Sequence, residues 1–436
     1  MKIRTLLLGS AALAGLSTAG YAADLGVVTS LDVCDELGLS GLTISSDDNC
    51  LVITGNVTFD YQWGDYTPGR IYGDFASTAN HNNYNVLNPA SPLDSNKGDL
   101  DTWLKFVGTA DSDFGPAKAV IKLISENGTG TVDQTVGIDE AWVGIGDTTM
   151  LMAGYKSSIF NKGDDVPLNY LGLFNSSAIN TGVSWHTTGA TTGGDVIQIV
   201  SSLGNGVSVG GGLEGLAGAF GNVTAVGVLS YAGDGVSAHV SAAAGNGGWK
   251  VHAGFTGTWD PITVVGAVAV DDTGYYNALG SVKATFDMFT LAASGEAASD
   301  GWGVGGSASA KVTDGVTINL GGKFWHHTPL AAGFVGATAN DLHAAYDLWR
   351  VEAGISASVT ETVTLSAAAG YESSSAAGLV SVATPVPHPL SAASSDFYGT
   401  VGVAWAPGGG FTSSSSLTVN SLGGYKVEFK AAKDIK

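Results

Sequence analysis

Residues 51–63 read LVITGNVTFDYQW. The odd positions hold Leu51, Ile53, Gly55, Val57, Phe59, Tyr61 and Trp63. After Val52, the even positions hold Thr54, Asn56, Thr58, Asp60 and Gln62. Side chains of a strand point alternately to its two faces, so this stretch predicts a two-faced β-strand. What remains to decide is which face looks inward.

The same alternation returns at 117–123, 236–242, 249–259, 302–312, 316–324, 349–359 and 363–371. Short links join many of these segments: 110–117, 232–235, 259–261, 285–289, 313–315 and 360–362. Longer polar links fall between them at 64–99, 126–135, 157–178, 326–341 and 373–394. Short turns at one end and long loops at the other describe hairpins standing side by side in a bilayer.

Composition narrows the classes. Charged residues are 13% of the 436-residue chain, about half the usual share. The chain is too apolar and aromatic for disorder, and a net charge of −21 speaks against nucleic acid as a partner. Lys2 and Arg4 precede an apolar run from Leu6 to Leu16, with Gly20 and Ala22 placed for cleavage after Ala22. Residues 1–22 therefore read as a bacterial signal peptide. Its removal takes two positive charges away, from −21 to −23. Beyond it, the longest apolar run is ITVVGAVAV at 262–270, far too short for a membrane helix. If the rest of the chain lies in a membrane, a closed β-barrel is the architecture that satisfies its backbone.

Cys34 and Cys50 are the two cysteines. In an oxidising periplasm a disulfide between them is the expected state, with two free thiols as the alternative. The predicted division is signal peptide 1–22, a periplasmic segment 23–50, and a barrel over 51–436.

The lysines bear on orientation. Lys105, Lys118, Lys122, Lys156, Lys250, Lys283, Lys311 and Lys323 lie in predicted strands, all opposite the main apolar row. A charge facing lipid at mid-depth costs about 2–4 kcal/mol. A soluble sandwich would also keep lysine off its core face, so further signs are needed. The polar face is rich in Ser, Thr and Gly rather than Lys and Glu. Trp63, Trp249, Trp259, Trp302 and Phe324 gather near ends of the apolar face, as interfacial girdles do. No second fold signature interrupts the strand series. The polar face is therefore read as a water-filled lumen and the apolar face as meeting lipid.

Segmentation gives 18 to 20 strand segments, with 181–215 and 411–430 ambiguous. Bacterial single-chain barrels have even strand numbers, and the length allows roughly 16 to 18 strands of about 10 residues plus loops. The expectation is an all-β transmembrane antiparallel barrel of 16 strands, with 18 as the alternative.

Several enzyme-like motifs occur by chance in a chain with 64 glycines. GWGVGG (301–306) has no helix after it, and GVSVG (206–210) continues as strand where a nucleophile elbow needs a turn into a helix. His326 and His327 would point oppositely on a strand, so they form a poor metal pair and read as surface loop. The sequence calls for no catalytic residue, metal or cofactor. The sharper signal is KSSIFNKGDDVPLNYLGLFNSSA (156–178). It is a long connection, yet it carries Ile159, Phe160, Val166, Leu168, Tyr170, Leu171, Leu173 and Phe174. Folded into the barrel, it would bury these groups against the wall and present Lys162, Asp164 and Asp165 to the lumen. The alternative is an outer loop packed in a subunit contact or on neighbouring loops.

Three stretches carry a resemblance: VCD…NCLVITGNVTFDY (33–61), FVGTADSDFGPAKAVIKL (106–123) and IDEAWVGIG…LMAGYKSSIF (138–160). The chain resembles the alphaproteobacterial trimeric general-diffusion porin family (porin family 2 type), clearly over most of the first 215 residues and as a pattern beyond. The resemblance implies a 16-stranded barrel, a third extracellular loop folded inward to narrow the pore, and a homotrimer. It also implies acidic loop residues Asp164 and Asp165 opposite the wall residues Lys105, Lys118, Lys122, Glu140 and Lys156, whose field sorts solutes by charge. The chain departs from that pattern in having only three arginines and in ending VEFKAAKDIK rather than on an aromatic residue. The implied function is a channel for passive diffusion of ions and small hydrophilic solutes, not an enzyme. It would sit in the outer membrane of a Gram-negative bacterium, among lipid and lipopolysaccharide. A substrate-specific 18-stranded channel is the alternative. A plugged structural or adhesive barrel, or a barrel enzyme, fits less well.

Overall fold

The structure is a computed structural model. It describes residues 34, 39, 41–46, 48–65, 96–126, 135–160, 166–174, 183, 185, 192–217, 223–329, 345–375, 395–421 and 425–436. Its strands are β1 (Leu42–Ser45), β2 (Asn49–Asp65), β3 (Asn96–Ala110), β4 (Ala117–Glu126), β5 (Gly137–Ile145), β6 (Thr149–Lys156) and β7 (Gly194–Gly204). There follow β8 (Val207–Glu214), β9 (Thr224–Gly233), β10 (Val236–Gly245), β11 (Gly248–Trp259), β12 (Ile262–Asp271), β13 (Tyr276–Phe286) and β14 (Phe289–Ala298). The series ends with β15 (Gly301–Thr313), β16 (Val316–His327), β17 (Tyr346–Ser358), β18 (Val363–Ser374), β19 (Ser395–Gly408), β20 (Phe411–Asn420) and β21 (Tyr425–Ile435).

From β2 onward each strand pairs antiparallel with the next, and β21 returns to pair with β2. The barrel is thus closed by 20 strands, which corrects the expectation of 16 or 18. The length argument failed on one assumption, that every outer connection is long. The links at 246–247, 272–275 and 299–300 are as short as the turns at the opposite end. Eight strands, β9–β16, consequently fit between Thr224 and His327. Several inner turns have the local chemistry that two-residue hairpins demand. Asn205–Gly206 and Asp234–Gly235 both have positive φ at the two central residues, as a type I′ turn requires.

The faces are inverted relative to a soluble domain. Large apolar side chains are on the outside: Val57, Phe59, Tyr61 and Trp63 of β2 are 37–46% exposed, and Ile121, Leu229, Leu291 and Val401 behave alike. Polar side chains on the alternate face, among them Gln198, Ser241, His252 and Asn277, are fully buried. Aromatic pairs ring the two ends of the outer face. Trp63–Tyr425, Trp302–Phe324 and Trp349–Tyr371 lie toward one end, and Phe255–Trp259 and Trp405–Phe411 toward the other. Such belts suit the two membrane interfaces.

Cys34 and Cys50 are joined by a disulfide, and both are buried. Closing so short a loop contributes about 3 kcal/mol in the chain-entropy account. Cys50 is an even-numbered residue of β2, so the bridge holds Cys34 on the inner face at the end where the barrel begins. β1 pairs with Cys50–Ile53 of β2, whereas β21 pairs from Gly55 upward. The two lie end to end along one edge of β2.

Candidate pore constriction

The connection between β6 and β7, residues 157–193, is longer than its apolar part suggested. Where 181–215 was ambiguous in sequence, the structure begins β7 only at Gly194. The described residues of the connection lie against the inner wall. Ile159 and Phe160 pack with Val226, Val228 and Ala243 of β9 and β10. Leu168 N–H donates to Ser281 Oγ on β13 at 2.9 Å. Tyr170 N–H donates to Ser307 Oγ on β15 at 3.1 Å. Lys323 of β16 donates to the Leu171 carbonyl at 3.1 Å and sits 4.2 Å from the Phe174 ring centroid. Tyr170 Oη donates to Glu352 Oε1 on β17 at 2.8 Å. The chain then returns: Leu173 and Val183 pack on Ala267, Ala269 and Leu279 of β12 and β13, and Trp185 Nε1 donates to the Val251 carbonyl of β11.

Two anchors hold this excursion. The first is Glu214 at the outer end of β8, fully buried. Its Oε1 accepts from Ile159 N–H at 3.3 Å and from Gln198 Nε2 at 2.8 Å; its Oε2 accepts from Gly193 N–H at 2.6 Å. One carboxylate therefore ties the first turn of the loop to its last residue. Gln198 adds a bond to the Ser157 carbonyl at 3.2 Å. The second anchor is at the tip, where Arg350 Nη2 donates to Glu352 Oε2 and Tyr398 packs on the guanidinium. Arg350 Nε and Glu352 Oε2 each bond Tyr398 Oη at 2.5 Å.

Glycine makes room for the tip. A Cβ on Gly321 would come within 3.0 Å of both Tyr170 and Leu171, and one on Gly305 would collide with the Asn169 side chain. Gly305 belongs to the GWGVGG stretch and there serves close approach of a loop rather than of a nucleotide.

The sequence-predicted wall residues divide. Lys105, Lys122 and Glu140 are cross-strand partners in one lateral row over β3, β4 and β5. Lys105 Nζ is 3.2 Å from Glu140 Oε2, and Lys122 Nζ is 2.6 Å from Asp139 Oδ2. Lys156 of β6 follows the last β5–β6 pair, Ala141–Tyr155, at the height of Glu140; it is 5.3 Å from the Trp142 ring, and Trp142 Nε1 donates to Glu140 Oε2. Lys118 is apart from this row, paired across to Thr109 beside the inner turn at 111–116. Lys162, Asp164 and Asp165 lie outside the described residues.

Sequence reasoning missed a second row: Lys323, Arg350, Glu372 and Asp396 are successive cross-strand partners over β16–β19. It also missed Glu214 and Gln198, whose one visible sign was a lone acid or amide on the small, polar face. The histidine pair 326–327 ends β16 instead of lying in a loop. His326 Nδ1 is 2.7 Å from Asp347 Oδ1, while His327 is buried against Tyr346. His239 and His252 are buried on the inner face behind Phe160 and Trp185, with Nε2 and Nδ1 2.9 Å apart.

The family model described as "Porin subfamily" matches residues 27–435. No curated protein matches the chain. Among solved structures, a mutant porin of Rhodobacter blastica is 12% identical, covering 88% of this chain and 99% of its own, at a TM-score of 0.37. The outer-membrane channel DcaP of Acinetobacter baumannii is 13% identical, covering 91% and 100%, at 0.38. A loop-deletion mutant of OmpT of Vibrio cholerae is 9% identical, covering 89% and 100%, at 0.39. Likenesses this distant carry no argument about strand number or selectivity.

Proposed function

The chain belongs to the porin subfamily, and from that premise we propose how its channel selects what passes. It is an outer-membrane diffusion channel of a Gram-negative bacterium. The observation that carries the proposal is that the described residues of the 157–193 connection lie against the inner wall from β8 to β17, fastened at both root and tip. Such a loop removes cross-section from the lumen over that arc. Solutes are left to pass beside the row Lys105–Lys122–Glu140 with Lys156.

Lys162, Asp164 and Asp165 fall between Phe160 and Val166 in sequence, and we propose that their charges act with that row to set selectivity. Lys118 then belongs to the inner mouth and not to the constriction. Opposed charges across a narrow aqueous passage order water and sort solutes by charge and dipole. The permeants in this reading are ions and small hydrophilic solutes; no bond is made or broken, so no enzymatic activity is assigned. The apolar outer face meets lipid, lipopolysaccharide and, in a homotrimer, a neighbouring copy.

Planar-bilayer recording tests the reading. Purified protein is expected to give discrete ion-conducting steps, and silence would sink the channel assignment. Asp164→Asn combined with Asp165→Asn is expected to shift the cation/anion permeability ratio toward anions. An unchanged ratio would remove both residues from the constriction. Light scattering of the detergent-solubilised protein, corrected for detergent, is expected to give three chains per particle.

A further inference from the structure

The two ion pairs of the open wall stand between two tryptophans. Trp103 lies two residues from Lys105 on β3, toward the outer end, and Trp142 lies two residues from Glu140 on β5, toward the inner end. Lys105, Lys122 and Glu140 are level with one another, so the indoles flank one charged row, about 13 Å apart along the strands. Both belong to the inner face, and both are half-buried.

Large apolar rings are out of keeping with this face, whose neighbouring residues on β2 are Thr54, Asn56 and Thr58. An indole turned to water leaves apolar surface whose covering is favourable. The described part of the 157–193 connection packs on β9–β17 instead. Trp142 is nonetheless held in a set posture. Its Nε1 donates to Glu140 Oε2 at 3.3 Å, and its Cζ3, at the far side of the ring, is 3.1 Å from where a Cβ on Gly144 would stand. The indole therefore lies lengthwise along β5, in space that the glycine leaves. Lysines reach both rings: Lys122 Nζ is 5.4 Å from the Trp103 centroid, and Lys156 Nζ is 5.3 Å from that of Trp142. Each ring thus has a face that a polar group can approach.

We propose that Trp103 and Trp142, with the Lys105–Glu140 and Lys122–Asp139 pairs between them, form a binding track for neutral carbohydrate in passage. The track presupposes the open channel proposed above and names a solute class for it. The C–H-rich face of a pyranose packs on an indole, whose negative ring face attracts those C–H groups. Sugar hydroxyls both donate and accept. The two part-exposed ion pairs offer ammonium donors and carboxylate acceptors side by side. An anionic aromatic solute would find the same rings, but would meet a carboxylate beside each of those two ammoniums. A neutral solute is favoured for that reason. The spacing of the rings suits a short chain of sugars, passed from Trp103 across the row to Trp142.

Planar-bilayer recording with maltotetraose as the probe tests the track. Polyethylene glycol of the same hydrodynamic size measures plain obstruction, and benzoate serves as the anionic aromatic. In wild type, maltotetraose is expected to interrupt the open current saturably, whereas the glycol lowers it in proportion to its concentration. Trp103→Ala and Trp142→Ala are each expected to shorten the sugar blockades roughly tenfold, as loss of one large apolar contact does. Trp142→Tyr is expected to restore most of that residence time. A merely structural indole would alter the open current and leave sugar residence alone. Maltotetraose that acts as the glycol does, blockades unaltered in both alanine variants, or saturable block by benzoate alone would each overturn the proposal. Conducting steps in the same membranes keep the channel reading standing whatever the sugar does. Their absence would remove the channel and the track with it. Should the alanine variants fail to insert, the wild-type comparison of sugar with glycol decides.

Discussion

The inner surfaces of β7–β17 and of β3–β6 arise from the same alternation of side chains, yet they finish as different materials. Across β7–β17 much of the wall is buried, its polar groups included. Gly305 and Gly321 admit the loop, Ser281 and Ser307 bond its backbone, and Glu214 is sealed beneath it. Across β3–β6 the wall is long-chained and partly wet: the Lys105–Glu140 and Lys122–Asp139 pairs keep 19–39% of their side-chain surface exposed. Alternation decides only that a side chain faces inward. Whether it becomes core or pore lining depends on what another part of the chain lays over it.

The hardest way to break this contrast is to release the loop at its root. Glu214→Ala strips Ile159 N–H, Gly193 N–H and the Gln198 amide of their shared acceptor. Hydrogen bonds to a charged group contribute about 1.5–3 kcal/mol each, so the anchoring lost is several kcal/mol. Single-channel conductance is expected to rise, with limited proteolysis newly cutting within 157–193. Unchanged conductance would mean that the loop is held without Glu214.

Gly321→Val attacks the tip by filling the space of Tyr170 and Leu171. Overpacking of this kind costs roughly 1–3 kcal/mol. The expected signature is a lower unfolding temperature with noisier open-channel current. A quiet channel of wild-type stability would show that the tip does not sit on β16.

Tyr170→Phe is gentler, removing one solvent-exposed bond to Glu352 worth about 0.5–1 kcal/mol. The Arg350–Glu352–Tyr398 cluster remains, so a small stability loss with near-normal conductance is expected. A loss as large as that of the Gly321 variant would place the main anchor at the tip rather than at its glycine bed.

The smallest stability effect belongs to the open wall. Lys105→Gln and Lys122→Gln each break a half-exposed ion pair worth at most about 1 kcal/mol. Their effect is expected in selectivity, as a shift toward cations in reversal potential. The same substitution at Lys118, near the inner turn, serves as the control and is expected to shift it less.

Much of this was legible in the sequence. LVITGNVTFDYQW gave a strand with an apolar outside, and the strand lysines opposite the apolar row placed the polar side inward. The apolar side chains of 159–174 betrayed a loop with something to pack against. Strand number was not legible, because GNGG at 245–248 and DDTG at 271–274 turn the chain as tightly at the outer end as AGDG does at the inner. Nor were the anchors. Glu214 ends a glycine-rich strand, and nothing local says that two residues on either side of a long loop will converge on its carboxylate. Arg350, Glu352 and Tyr398 become a cluster only when β17 and β19 are curled into one wall with β18 between them. Lys118 and Lys122 share a strand and a face, but their heights in the barrel follow from register, which composition cannot reveal.

One consequence follows from β1 and β21 lying end to end on β2. A Cβ on Gly41 would come within 3.9 Å of the main-chain carbon of Lys436. With Cys50→Ser in place of the bridge to Cys34, and residues 1–40 left out, a short linker from Lys436 to Gly41 would run β21 into β1, and the chain could be reopened at a tight outer turn such as 246–247. A circular permutant begun at that turn is expected to close the same barrel, since termini that meet at a surface tolerate relocation. Strand order in space would then be independent of the order in which the strands are synthesised.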